Sequence, residues 1–123
     1  MNYKMIVLDL DGTLLDDNKS ITPKNKQVLN TLYKKGIKIV IATGRTFMAA
    51  KYLVKDLGFD VIIFSNNGNL VRHSSNNNKI FHRYIDSNLF YQLLGDAKKA
   101  DLYPILHVDH FEENIDVLFE KNK

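Results

Sequence analysis

A chain of 123 residues, 45% of them hydrophobic, is long enough to bury one substantial core. Seventeen Lys and Arg against fourteen Asp and Glu leave a formal charge of +3, with both signs mixed along the chain, which argues against a nucleic-acid partner. The absence of cysteine excludes disulfides, thiolate metal sites and a thiol nucleophile, and fits a cytoplasmic protein.

The N-terminal run MNYKMIVLDLDG is broken by Asp9 well before it could form a signal-peptide core or span a bilayer, so no membrane partner is expected. Residues 5–10, MIVLDL, read as a short buried strand, apolar, rich in strand formers and followed by a glycine turn. Thr22 caps a helix that opens on Pro23, in which Val28, Leu29, Leu32 and Tyr33 recur at helical spacing until Gly36. IKIVIA, residues 37–42, has no polar alternation beyond Lys38 and reads as a strand covered on both faces. A second helix fits residues 47–57, with Ala49, Ala50, Leu53 and Leu57 facing inward and Gly58 as its stop. DVIIF, residues 60–64, makes a third strand, and the β-α-β-α-β order implies right-handed crossovers and a mainly parallel sheet.

SNNGN, residues 65–69, is a turn signal, after which two short strands are expected around the polar loop from Ser74 to Asn78. A helix then fits residues 87–101, and strands fit residues 103–108 and 115–119. Tyr84, Phe90 and Tyr91 are expected to pack inside this region. The fold class is therefore α/β, with a Rossmann-like, mainly parallel core fragment followed by the beginning of an α+β unit that stops partway.

The strands of a parallel sheet point their carboxyl ends to one edge, where ligands bind. Here those ends carry Asp9 and Asp11, then Thr43-Gly44-Arg45, then Ser65-Asn66-Asn67-Gly68. Asp9 and Asp11, two residues apart, begin on one face of a strand, and two close carboxylates call for a counterion. Mg2+ is the natural one, because it takes carboxylate and carbonyl oxygens and keeps contacts to substrate phosphate. Phosphoryl transfer uses both acids: one attacks phosphorus, the other protonates the leaving oxygen and later activates water. Gly12 permits a tight turn, and the amides around Gly12 and Thr13 could face phosphate oxygens. Thr43 can donate its hydroxyl to the same anion, and the Gly44 amide can approach it unobstructed.

Taken alone, Asp9-x-Asp11 could be an Asx turn on a solvated edge, and the other two strand ends argue against that. A calcium loop is a poor match, since Gly12 falls at the fourth position and the bidentate Glu at position twelve is missing. His107, Asp109, His110, Glu112 and Glu113 lack a zinc spacing, and the default reading of His73 and His82, which flank the Asn-rich loop, is structural or solvent-facing.

DLDGTLL at residues 9–15, IATGR at 41–45 and SNNG at 65–68 together resemble the haloacid dehalogenase-like superfamily, in its Cof-type sugar-phosphatase branch. The resemblance implies Asp9 as nucleophile and Asp11 as general acid and base. It implies Mg2+ on Asp9 and the Asp11 backbone carbonyl, and phosphate on Gly12, Thr43 and Gly44. Asn67 and Gly68 would lie near the substrate; Arg45, by its place after the phosphate-binding pair, is a candidate substrate or cap contact, with a surface ion pair as the alternative. Residues 1–72 would be the N-terminal part of the core, 73–79 a polar loop at the cap entry, and 80–123 a partial α+β cap. The substrate implied is a small phosphorylated metabolite such as a sugar phosphate. Relatives carry a later lysine and a Gly-Asp loop, which Gly95-Asp96, Lys98 and Lys99 do not match in order. The chain thus reads as an incomplete, weakly active or inactive part of a phosphatase. The missing core segment would come from a longer chain or a partner polypeptide. The alternatives are a phosphomutase using the same intermediate and a non-catalytic phosphate-responsive module.

Overall fold

The structure, a computed structural model, describes residues 3–119, so the outer ends of the expected units, residues 1–2 and 120–123, lie outside it. The chain divides between His82 and Arg83 into two compact units.

The first unit is built on one five-stranded sheet, ordered β1 (Met5–Leu8), β2 (Lys38–Ala42), β3 (Ile62–Ser65), β4 (Leu70–His73), β5 (Lys79–His82). Helix α1 (Pro23–Lys34) links β1 to β2, and α2 (Phe47–Val54) links β2 to β3. Both helices begin as their sequences dictate: Thr22 accepts a hydrogen bond from the Asn25 amide and Thr46 one from the Ala49 amide, satisfying donors that the first helical turn leaves over. The β1–β2 and β2–β3 pairs are parallel, whereas β3–β4 and β4–β5 are antiparallel. The sheet is therefore mixed rather than mainly parallel. The reason is the Asn66–Gly68 turn, which is far too short for a crossover and returns the chain beside the strand it has just left.

Ile39, Val40 and Ile41 on β2 and Ile63 on β3 are buried, as central strands covered on both faces should be. On α2 the inward stripe is Phe47, Ala50 and Val54; of the Ala49, Ala50, Leu53 and Leu57 set that periodicity suggested, Ala50 is buried and the other three are half-buried. The expected buried first strand is corrected. β1 lies at the sheet edge, with Met5 49% and Val7 56% exposed, because it pairs with β2 alone among the described residues. It also ends at Leu8 instead of residue 10. Leu10 drives fully into the core, and the chain makes one wide turn over Leu10–Leu14, closed by Leu14 N–H to the Asp9 carbonyl at 3.2 Å and Leu15 N–H to the Leu10 carbonyl at 2.9 Å. Gly12, at φ 75°, supplies the left-handed position this turn needs.

The second unit consists of α3 (Ser87–Lys99), β6 (Ile105–His110) and β7 (Ile115–Phe119). Asp86 caps α3 by accepting from the Asn88 and Leu89 amides, and β6 and β7 pair antiparallel around the turn Phe111–Glu113. This overturns the expectation that the chain after residue 80 is only the beginning of a cap: its helix is capped, its two strands pair with each other, and they form a compact α+β unit. The expectation of a core awaiting a segment from elsewhere is corrected as far as the burial of Leu10, Ile41 and Ile63 goes, since the described residues already cover these three fully. The aromatic residues expected to pack inside this region do so unevenly: Tyr84 and Tyr91 are exposed and Phe90 is half-buried. Among the described residues no helix is long and apolar enough to cross a membrane.

Truncating Ile63, on the central strand and wholly buried, to Ala should cost about 2–5 kcal/mol of folding stability, read as a lowered urea midpoint with an unchanged slope.

Candidate active site

The carboxyl ends of β1, β2 and β3 lead into three short segments joined to one another by named contacts. After β2, the Thr43 amide donates to the Phe64 carbonyl at 2.9 Å, the Asn66 amide to the Arg45 carbonyl at 2.8 Å and the Asn67 amide to the Thr43 carbonyl at 3.1 Å. These bonds lock TGR against NNG. Asn66 and Asn67 hold φ of 50° and 56°, a left-handed pair that asparagine tolerates better than most residues. Gly44 leaves little room here: a Cβ on it would lie 3.1 Å from the Asn67 side-chain oxygen, so a larger residue would press on that side chain. Thr43 is buried, and its hydroxyl accepts the Arg45 amide at 3.2 Å, which leaves the hydroxyl proton to donate.

The link from β2 to the segment after β1 is electrostatic. Arg45 places Nε 2.6 Å from Asp11 Oδ2 and Nη2 2.8 Å from Oδ1, a two-pronged guanidinium–carboxylate pair. Lys19 Nζ approaches the same Oδ1 at 3.0 Å. Hydrogen bonds from Arg45 and then Lys19 hold the Asp11 carboxyl far below the usual carboxylate range. Asp11 thus stands as a carboxylate gripped by two cations. Asp9 is exposed in extended backbone, and among the described residues its side chain has no hydrogen-bond or ion-pair partner.

The structure therefore brings Asp11, Arg45, Thr43, Gly44 and Asn67 into one connected edge, with Asp9 and Gly12 on the turn that carries Asp11 and Gly68 on the turn that carries Asn67. The i, i+2 strand argument does not describe Asp9 and Asp11, because the chain leaves β1 before either residue. Lys19 was not a candidate from the sequence. It sits in the polar stretch Asp16–Ser20, which resembles any surface turn, and spacing gives no signal for it. His73, by contrast, places Nδ1 2.6 Å from Asp60 Oδ2; Asp60 precedes β3, so this pair lies at the opposite edge of the sheet and serves the fold.

Oxygen donors suited to Mg2+ are present, in the exposed Asp9 carboxylate, which no described side chain engages, and the Asp11 backbone carbonyl, and they fit that ion chemically. The Asp11 carboxylate does not, being held by Arg45 and Lys19. Among the described residues no three His, Asp or Glu side chains gather as a metal cluster, and His110 pairs loosely with Glu113 at 3.7 Å instead.

A family model for haloacid dehalogenase-like hydrolases matches residues 6–121. The chain is 34% identical over 77 residues to 5-amino-6-(5-phospho-D-ribitylamino)uracil phosphatase YcsE of Bacillus subtilis, covering 63% of this chain and 31% of that protein. It is 29% identical over 100 residues to phosphatase YwpJ of the same organism, covering 81% and 35%. Among solved structures, a haloacid dehalogenase-like hydrolase from Bacteroides thetaiotaomicron superposes with a TM-score of 0.80 at 28% identity, over 98% of this chain and 44% of that one. The chain spans about a third of the length of the curated relatives it matches.

A depressed carboxyl pKa stabilises the folded state fully above the unfolded value and loses that contribution as pH falls through the folded one. The stability gap between the wild type and Arg45→Met should therefore be widest at neutral pH and narrow as pH falls below about 4, read from urea midpoints at each pH. A gap independent of pH would show that Arg45 acts through packing.

Proposed function

Because the chain belongs to the haloacid dehalogenase-like hydrolase family, we propose that its edge of strand ends hydrolyses small phosphomonoesters through an aspartyl-phosphate on Asp9. The observation that carries this reading is the joining of three strand ends by Asp11–Arg45 and by the packing of Asn67 on Gly44. Relatives named as phosphatases, including one whose substrate is a phosphoribityl compound, support a small phosphorylated metabolite such as a sugar phosphate, as expected of the Cof-type branch.

Asp9 is the group free to attack, since its carboxylate is exposed and its oxygens are committed to no other side chain among the described residues. In the first step an Asp9 oxygen bonds to phosphorus, the bond from phosphorus to the leaving oxygen breaks, and that oxygen takes a proton from Asp11. In the second step Asp11 takes a proton from water, the water oxygen bonds to phosphorus, and the aspartyl bond breaks to release phosphate and restore Asp9. The Thr43 hydroxyl and the backbone at Gly12 and Gly44 hold the phosphoryl oxygens. Arg45, with Asn67 and Gly68, borders the substrate. Mg2+ held by the Asp9 carboxylate and the Asp11 carbonyl would neutralise charge on the phosphate. Asp11 can give a proton only after it is relieved of its two cations, which makes the fate of Arg45 and Lys19 part of the reaction.

Phosphate release from a panel of sugar phosphates, assayed with Mg2+, should fall to background in Asp9→Asn and by about 10²–10⁴-fold in Asp11→Asn. Chelation should abolish turnover and added Mg2+ restore it. Acid-quenched protein should carry a phosphoryl group on Asp9, and release that survives Asp9→Asn sinks the assignment.

A further inference from the structure

We propose that Lys19 is a phosphate-binding residue, delivered to the site on a built turn and handed from the Asp11 carboxylate to the substrate's phosphoryl group. The inference rests on the phosphatase reading of this edge, and Lys19 belongs to none of the motifs that led to it.

The turn that carries Lys19 is closely hydrogen-bonded. The Asp16 amide donates to the Ser20 carbonyl at 2.9 Å and the Lys19 amide to the Asp16 carbonyl at 3.0 Å. The Asp16 carboxylate also accepts from the Asn18 amide at 3.0 Å and the Ser20 amide at 2.9 Å. At the base, Leu15 and Ile21 form a bridge and are 7% and 4% exposed, which roots the turn in the core. Lys19 itself adopts φ 58°, a left-handed conformation that a long side chain seldom takes and that Gly or Asn would hold more easily. A strained lysine on a rigid turn, with its amine 3.0 Å from Asp11, is not explained by stability, because an exposed lysine–carboxylate pair contributes little.

The charge balance supplies the explanation. Arg45 alone already meets both oxygens of Asp11, so Lys19 is a second cation on a single carboxylate. A phosphoryl group, with up to two negative charges and three acceptor oxygens, offers such a cation more than a shared carboxylate oxygen can. When it enters this edge, Lys19 and Arg45 can turn to it, and Asp11 is released toward the leaving oxygen. No covalent step is involved; the exchange is of ion-pair partners.

The test is calorimetric titration of inorganic phosphate, with Mg2+ present, into the full chain and into the variants K19M, K19R, D11N and D11N/K19M. Phosphate should bind about tenfold more weakly to K19M than to wild type, and K19R should recover most of the loss. D11N should bind phosphate more tightly than wild type, because both cations are freed, and adding K19M to D11N should again weaken binding about tenfold. Equal affinity for wild type and K19M overturns the proposal. So does a K19M effect that vanishes in the D11N background, since Lys19 would then act only through Asp11. Wild-type protein that binds no phosphate overturns the phosphatase reading and this proposal together, whereas turnover that depends on Asp9 but not on Lys19 overturns this proposal alone.

Discussion

Arg45 reaches across 34 residues of sequence to set two nitrogens on one carboxylate, and that pair joins the turn after β1 to the end of β2. Both elements have separate reasons to be where they are. Leu10 is pulled wholly into the core, Gly12 lets the chain curl, and Thr46 caps α2 immediately after Arg45. The guanidinium then fixes the spacing between these two segments. Remove it and Asp11 keeps its turn but loses its registration to Thr43 and Gly44, which are held from the other side by the Asn66–Gly68 turn.

The central sheet was legible because its signals are local. Two unbroken apolar runs, IKIVIA and DVIIF, needed burial on both faces, and Thr22-Pro23 and Gly36 punctuated the first helix. The convergence of Asp9, Asp11, Thr43, Gly44 and Asn67 toward one edge followed from strand direction alone. Contacts between elements were not legible. Whether MIVL is central or peripheral depends on its neighbours, which periodicity does not report, and the antiparallel return at β4 depends on a turn whose two left-handed asparagines select the hairpin. Lys19 was missed for the same reason: its relevance lies in a through-space approach to Asp11, and a polar turn of the DDNKS kind carries no mark of what it points at.

The second unit shows how far secondary structure can run ahead of burial. Its helix and both strands stand close to where the sequence puts them, yet none of its described residues is buried, and its apolar side chains are shared between partial cover and solvent. Stability is thus unevenly distributed: the first unit owns the deep core, while the α+β unit depends on shallow contacts and on polar ties such as Tyr84 Oη to Asp109 Oδ2 at 2.8 Å. Chemistry built on the first unit inherits its rigidity, and local opening is cheapest in the second.

β1 has a consequence for how the protein behaves in company. Among the described residues nothing pairs with its outer side, which therefore presents a row of amide and carbonyl groups beside the exposed side chains of Met5 and Val7. Exposed Lys4, directly before the strand, and Lys38, at its neighbour's start, put like charge at that border and discourage stacking. Such repulsion is screened as ionic strength rises, so salt weakens this guard on the edge.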